Sequence, residues 1–128
     1  MIKDTISPLS RLSSGNVNIL IVHDITELYK KIYRLNQKVS KRNKFGIFLK
    51  IENACLEILS LAIKAAFTAK ADKEKFISQL RVVVELLKNL VRIAYELDIL
   101  DKNIYLDIQT DLQKISKMGL GWLKYSQQ

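Results

Sequence analysis

The sequence is poor in the residues that build turns, disulfides and metal sites. Its 128 residues include one proline, four glycines, one cysteine and one histidine. Such a chain has too few turn residues for a multi-stranded sheet, and its 48% apolar content is too high for disorder. A lone cysteine excludes an internal disulfide, and one cysteine with one histidine cannot complete a tetrahedral zinc site. We therefore predict a single all-α domain in a reducing compartment, without a metal or another cofactor.

Sequence motifs of catalysis are also missing. The chain has no glycine-rich phosphate loop, no HExxH pair and no carboxylate and histidine pairs of the kind that bind iron inside a helical bundle. His23 precedes a predicted helix start and is interpreted as solvated or structural. Cys55 falls on an apolar seam, where it is interpreted as a small buried hydrophobic residue. We therefore predict that the protein is not an enzyme and takes no small-molecule substrate.

The sequence also lacks long apolar runs. No uninterrupted run approaches the ~20 residues that a membrane-spanning helix needs. The first ten residues, MIKDTISPLS, have no apolar core of the kind found in a secretory signal. These absences predict a cytoplasmic protein with no membrane partner.

Apolar residues recur at helical spacing in four segments, which predicts an antiparallel up-down-up-down four-helix bundle. Asp24 and Glu27 resemble a capping box, so the first helix is predicted over 25–39. The second helix is predicted from 44 to about 69. The third and fourth helices are predicted to follow N-caps at Asp72 and Asp101 and to reach 97 and 124.

The residues before the first predicted helix have no helical period. Pro8, Gly15 and several serines interrupt this part of the chain, which predicts an N-terminal arm over 1–22 that is partly ordered or docked. Within it, the apolar run at 18–22 could be a strand, the first turn of a helix or a docking segment. The four-helix bundle is predicted over 23–126.

The second predicted helix carries two apolar seams, although a helix on the surface of a small bundle needs only about a 100° apolar arc. We therefore predict that the second seam contacts another subunit and that the protein is a homo-oligomer. The residues predicted at this interface are Ile47, Ile51, Ala54, Ile58 and Leu61, together with Trp122 of the fourth helix. The first seam contains Phe45, Phe48, Cys55, Leu59, Ala62, Ile63 and Ala66. Glu52 lies on the side of this seam, where it either meets a lysine, arginine or tyrosine of a neighbouring helix or subunit, or reaches water at the seam's edge.

Positive charge dominates the chain, with a formal net charge of +8, and the segment from Lys30 to Lys44 contains no acidic residue. Such a surface is either simply solvated or contacts the phosphates of RNA or DNA without reading their sequence. Cations also recur at helical spacing on the fourth helix. The candidate contacts to nucleic acid or to a polymerase are Lys30, Lys31, Arg34, Lys38, Lys41, Arg42, Lys44, Lys114, Lys117 and Lys124. Tyr29, Tyr33 and Trp122 could stack on bases, but packing in the core or an interface is favoured for them.

Several short segments carry a resemblance to a known family. They are Arg42-Asn43-Lys44-Phe45-Gly46, Lys50-Ile51-Glu52-Asn53, Leu90 to Leu97, and Ile115 to Lys124 with its Gly119-Leu120-Gly121-Trp122 ending. Over about residues 24–125 the chain resembles a family of four-helix bundles. This family includes the accessory variability determinant (Avd) proteins of diversity-generating retroelements and the proteins encoded in ribosomal RNA intervening sequences.

The resemblance implies a small basic bundle that assembles as a barrel of five subunits. For the retroelement branch, it implies a non-enzymatic accessory protein that binds the reverse transcriptase and its RNA or DNA during mutagenic copying of a template repeat. Two alternatives stay open. The chain could be an intervening-sequence protein of the same fold, or a protein-binding adaptor whose positive surface meets an acidic partner.

Overall fold

The computed structural model describes residues 14–127, and their side chains from residue 19 onward. Four long helices make up most of this part of the chain. They are α1 (Ser14–Leu35), α3 (Ile47–Phe67), α4 (Lys70–Glu96) and α5 (Lys102–Ser126). A 3-10 turn (Asn36–Lys38) and a short helix α2 (Lys41–Lys44) connect α1 to α3.

The four long helices pack as a square in which each contacts two neighbours. Helix α3 packs against α1 and α4, and α5 packs against α4 and α1. Two contacts show that α5 is antiparallel to α1: Lys31, late in α1, reaches Asp107, early in α5, whereas Asp24, earlier in α1, pairs with Lys114 further along α5. The prediction of an all-α fold with four helices packed against one another is confirmed.

The start of the first helix was predicted wrongly. Helix α1 begins at Ser14 and ends at Leu35, so Asp24 lies inside the helix and does not cap it. The apolar run at 18–22 is helical, and Ile21 is fully buried in the core, because the apolar period of α1 continues backward through it. Of the predicted arm, residues 14–22 therefore belong to α1, while residues 1–13 lie outside the described part of the chain.

The predicted cap of the last helix is confirmed, but that of α4 is not. Asp101 precedes α5, and its side chain accepts a hydrogen bond from the backbone N–H of Ile104 at 2.9 Å. Helix α4 instead follows Ala69, and Asp72 lies in its first turn, where a carboxylate favours the positive end of the helix dipole. The tight α4–α5 turn places Asp98 in the left-handed region, with φ of 62°.

The predicted interface seam of α3 is not a surface. Ile51, Ala54, Ile58 and Leu61 are buried in the core of one chain, as is Trp122, and Ile47 is partly buried against that core. The prediction that the five buried residues contact a second subunit is therefore wrong, whereas Ile47 keeps part of its side chain exposed. The physical reason is that the core face of α3 is broad: it packs against α1 on one side and α4 on the other, so much of both seams is covered within the bundle.

Gly119 is buried at the contact between α5 and α4. A Cβ atom at this position would lie 3.4 Å from Cγ of Arg81 and 3.5 Å from Cδ2 of Leu80, which is ordinary van der Waals contact with no room to spare. Helix α5 continues through Gly119 and Gly121 to Ser126.

Candidate nucleic-acid interface

The connection between α1 and α3 forms a concentrated positive surface. Ser40 caps α2 by accepting a hydrogen bond from the backbone N–H of Asn43 at 3.4 Å, which holds this lysine-rich turn in a compact form. The sequence contains no acid between Glu27 and Glu52, so no local carboxylate can neutralise these cations. We call this surface the basic end and define it as Arg34, Lys38, Lys41, Arg42, Lys44 and Lys50.

The cations of the basic end are available to a partner. Lys44 is half-buried, and the others are exposed. Within the part of the chain that the structure describes, none of them forms an ion pair with a carboxylate. A cluster of unpaired cations in a short segment produces a strong local positive potential that attracts polyanions.

Two aromatic side chains lie exposed beside these cations. Tyr33, in the last turns of α1, is 59% exposed, and Phe45, just before α3, is 71% exposed. The sequence favoured packing in the core or an interface for Tyr33, and its exposure on the single subunit excludes the core. An exposed ring among cations can stack on an unpaired base. Trp122, in contrast, is fully buried in the core, and Tyr29 is partly buried 6.2 Å from the ring of Tyr33.

The two predicted contact residues in the middle of α1 are held by acids of the same chain. Lys30 pairs with Glu27 at 3.0 Å, and Lys31 reaches Asp107 at 2.8 Å and Asp111 at 2.6 Å on α5. Burial alone lowers the pKa of Lys31, but its two carboxylate hydrogen bonds outweigh this effect, and the pKa lies above its usual value. Lys31 thus helps to hold α1 against α5 and is the least available of the predicted contacts.

The predicted cations of α5 lie on a different surface from the basic end. Lys114 is 3.4 Å from Asp24 of α1, although its own side chain is mostly exposed. Lys117 and Lys124 are exposed and form no ion pair among the described residues. The structure therefore separates the predicted contacts into the basic end and a second group along α5.

The polar groups near the core are placed for structure and not for reaction. Glu52 is half-buried and accepts a hydrogen bond from the Asn36 side chain at 3.3 Å, rather than from the lysine, arginine or tyrosine that the sequence suggested. Burial raises the pKa of Glu52, and the hydrogen bond from Asn36 opposes that rise only in part. Cys55 is fully buried, and burial raises the pKa of its thiol to about 12, which suppresses the reactive thiolate.

Other kinds of site were also considered. His23 is exposed on α1. Among the described residues, no three histidine, cysteine, aspartate or glutamate side chains lie close enough together to hold a metal ion. In the same part of the chain, no helix is sufficiently long and apolar to span a membrane. The basic end is therefore the strongest candidate site.

Comparison with known families identifies the group to which the protein is related. A family model described as bAvd-like matches residues 19–126, which include nearly all of the four-helix bundle. The chain belongs to the bAvd-like family. This family is that of the bacterial Avd proteins of diversity-generating retroelements, and its members are in general non-catalytic accessory proteins. No curated protein matches the chain.

Proposed function

We propose that this bAvd-like protein is the non-enzymatic accessory subunit of a diversity-generating retroelement. It binds the reverse transcriptase of the element and its RNA or DNA, and so supports mutagenic copying of the template. The observation that carries the nucleic-acid part of this proposal is the basic end, whose unpaired cations include the chain neighbours of two exposed rings, Tyr33 and Phe45. Family membership supports the reverse transcriptase as the protein partner. Contacts to phosphates without base readout make this binding indifferent to sequence.

Salt-dependent binding to unrelated RNA and DNA oligomers tests the nucleic-acid part. The logarithm of the binding constant is expected to fall linearly with the logarithm of salt concentration. The double variant Lys41→Gln/Arg42→Gln removes two exposed charges from the basic end and should reduce that slope by about 1.4 for a single strand. A matched control, Lys64→Gln/Lys75→Gln, removes two exposed lysines elsewhere on the bundle and should leave the slope unchanged.

Absence of wild-type binding at low salt would refute the nucleic-acid part of the proposal. The alternative adaptor function would then be favoured, since a positive surface can also meet an acidic protein. The retroelement assignment has an independent test. A reverse transcriptase gene and two nearly identical repeats are expected beside the gene for this protein, and their absence would argue for another role.

We further propose that the protein assembles as a homo-oligomer, in keeping with the five-subunit barrel that the family resemblance implies. The support comes from side chains other than those of the buried seam. Helix α3 exposes a line of apolar residues, Leu49, Leu56, Ile63 and Phe67. Helix α4, together with the residue that follows it, exposes Val82, Leu86, Ile93 and Leu97. A closed ring needs two different apolar faces on each subunit, because every subunit offers one face to each neighbour. The two lines could supply these faces.

Sedimentation of the wild type and of two single variants tests the proposed assembly. Leu56→Asp and Val82→Asp each place a charge within one exposed line and should give folded monomers with unchanged helicity. Glu57→Gln, on the exposed side of α3 but outside the apolar line, is the control and should keep the wild-type mass. A wild-type monomer at high micromolar concentration would refute the assembly.

A further inference from the structure

The groove between α4 and α5 is a second positively charged surface, on a different side of the bundle from the α1–α3 connection that carries the basic end. Two adjoining depressions form it, with volumes of about 550 and 260 Å³, and both are lined by Lys88 and Gln109. The larger one extends to Lys117, and the smaller one extends to Arg92 and Tyr105. The groove therefore joins cations, amides and an aromatic ring on two antiparallel helices.

Hydrogen bonds between the two helices fix the floor of this groove. The Lys88 ammonium donates to Oε1 of Gln113 at 3.0 Å, and Nε2 of Gln109 donates to the backbone carbonyl of Lys88 at 3.0 Å. Lys88 is also 3.1 Å from Glu85, an exposed acid at the rim. Because these contacts cross from α4 to α5, the groove is a stable feature of the packed bundle and does not depend on a loop.

The outer line of α5 beside this groove carries no acid. Its members recur at intervals of four and three residues, all of them are exposed, and two are lysines: Leu106, Thr110, Gln113, Lys117, Leu120 and Lys124. The acids of α5 point elsewhere, since Asp107 and Asp111 bind Lys31 of α1. Folding thus directs the negative charges of α5 toward α1 and leaves its positive charges along the groove.

The dimensions and chemistry of the groove fit an extended single strand of nucleic acid. From Leu106 to Lys124 the α5 wall is about 27 Å long at ~1.5 Å per residue, which suits a short tract of nucleotides. Arg92, Lys117 and Lys124 form no ion pair among the described residues and can meet phosphates. Leu106 and Leu120 offer apolar surface to bases, and the amides can hydrogen-bond to base edges. The Tyr105 ring is half-buried and stacks on Tyr95 at 4.4 Å, so only its outer part adds to this surface.

We propose that the α4–α5 groove binds single-stranded nucleic acid as a second tract, separate from the basic end. This inference rests on the proposed function, because it assumes that the protein binds nucleic acid at all. It adds the location of a second contact surface and the single-stranded form of the ligand. Two such tracts on one subunit would hold a strand more tightly than either alone, since the second contact becomes intramolecular.

Fluorescence anisotropy with a labelled 20-nucleotide oligothymidylate at several salt concentrations tests the inference. The groove variant Arg92→Gln/Lys117→Gln removes one exposed cation from each wall and should lower the salt slope by about 1.4. The end variant Lys41→Gln/Arg42→Gln should lower it by a similar amount, and the combined variant by about 2.8. The control Lys64→Gln/Lys75→Gln should leave the slope unchanged, and all variants should melt at the wild-type temperature because the replaced side chains are exposed.

The possible outcomes separate this inference from the proposed function. If the end variant weakens binding while the groove variant matches the control, the second tract does not exist and the proposed function stands. If the groove variant and the control lose affinity equally, net charge alone is responsible, and the groove is again overturned. If the wild type does not bind at low salt, the nucleic-acid part of the proposed function fails as well.

A duplex of the same length tests the single-stranded form. The groove variant is expected to lose more affinity for the single strand than for the duplex, because only unpaired bases can reach the leucines and Tyr105. An equal loss for both would overturn the single-strand assignment. Photochemical cross-linking with a 4-thiothymidine oligomer should in addition label peptides from residues 85–92 and 105–124, and labelling confined to residues 33–50 would contradict the groove.

Discussion

The sharpest test of the fold compares two residues of α3 that lie two positions apart. Ile58 is fully buried in the core, whereas Leu56 is 41% exposed on the outer line of the same helix. Ile58→Ala removes buried methyl and methylene groups and leaves a cavity in the core, which costs about 2–5 kcal/mol in comparable cores. Since the whole stability of such a domain is about 5–15 kcal/mol, this single change removes a large part of it.

Leu56→Ala is the matched control, because it removes a side chain of the same size from the same helix. Its side chain is partly in water already, so the expected loss of stability for the single subunit is below about 1 kcal/mol. Urea unfolding followed by circular dichroism measures both values. Ile58→Ala should lower the urea concentration at the unfolding midpoint strongly, without changing the dependence of the unfolding free energy on urea concentration. Leu56→Ala should lower that midpoint only slightly, under conditions where unfolding does not depend on protein concentration.

The result that would refute this reasoning is specific. If Ile58→Ala lowered the oligomer mass in sedimentation while its unfolding midpoint stayed that of the wild type, Ile58 would face another subunit and the core described above would be wrong. The same conclusion would follow if Ile58→Asp gave a fully helical, cooperatively folded monomer. We expect instead that Ile58→Asp unfolds the chain, because a charge cannot be buried there without a partner.

Three further predictions follow from individual side chains. Gly119→Ala should stabilise the protein by about 0.5–1 kcal/mol in thermal or urea unfolding, because alanine has the higher helix propensity and its methyl group makes ordinary contact with Arg81. Gly119→Leu should instead overpack the contact between α4 and α5 and destabilise the protein. Cys55, with a buried thiol of pKa about 12, should resist a thiol reagent at pH 8 in folded protein and react fully in urea; fast labelling of the folded state would contradict its burial. Burial raises the pKa of Glu52 in the folded state. At a pH above this raised pKa, ionisation of Glu52 lowers the stability of the folded protein; at a pH below its ordinary value of 4.5, the carboxyl is protonated in both states and has no such effect. Glu52→Gln should therefore raise the unfolding midpoint at pH 7 relative to the wild type, and this gain should disappear near pH 4; a gain that grew as pH fell would show the opposite sign.

Helical periodicity was sufficient to predict the bundle but not the direction in which each helix faces. In α3, two apolar seams overlap around one helix, and the pattern alone does not show that α1 and α4 cover most of both. The apolar residues that remain outside, such as Leu56 and Phe67, are separated by polar residues at 57, 60 and 64 and do not stand out in the sequence. The prediction of excess apolar surface therefore pointed to the wrong side chains.

The basic segment could be recognised because its cations lie close together in the sequence. The acids that pair with Lys31, in contrast, lie far from it in the sequence. The sequence has no acidic residue between Lys31 and Lys44. Asp107 and Asp111 nevertheless bind Lys31 from 76 and 80 residues further along the chain. Such a pairing depends on α1 packing beside α5, which single-sequence charge patterns do not reveal. The charge of the α4–α5 groove was missed for the same reason, since Arg92 and Lys88 join Lys117 only after two helices pack together.

The antiparallel order of the four helices has a practical consequence for labelling. Helix α1 begins and α5 ends at the face of the bundle opposite Lys41 and Arg42, and α1, with 22 residues, separates the two faces by about 33 Å. A fluorophore attached after Ser126 therefore leaves the region around Lys41 uncrowded. Energy transfer from such a dye to one on a captured oligonucleotide would report how far along the rod-like subunit the strand extends.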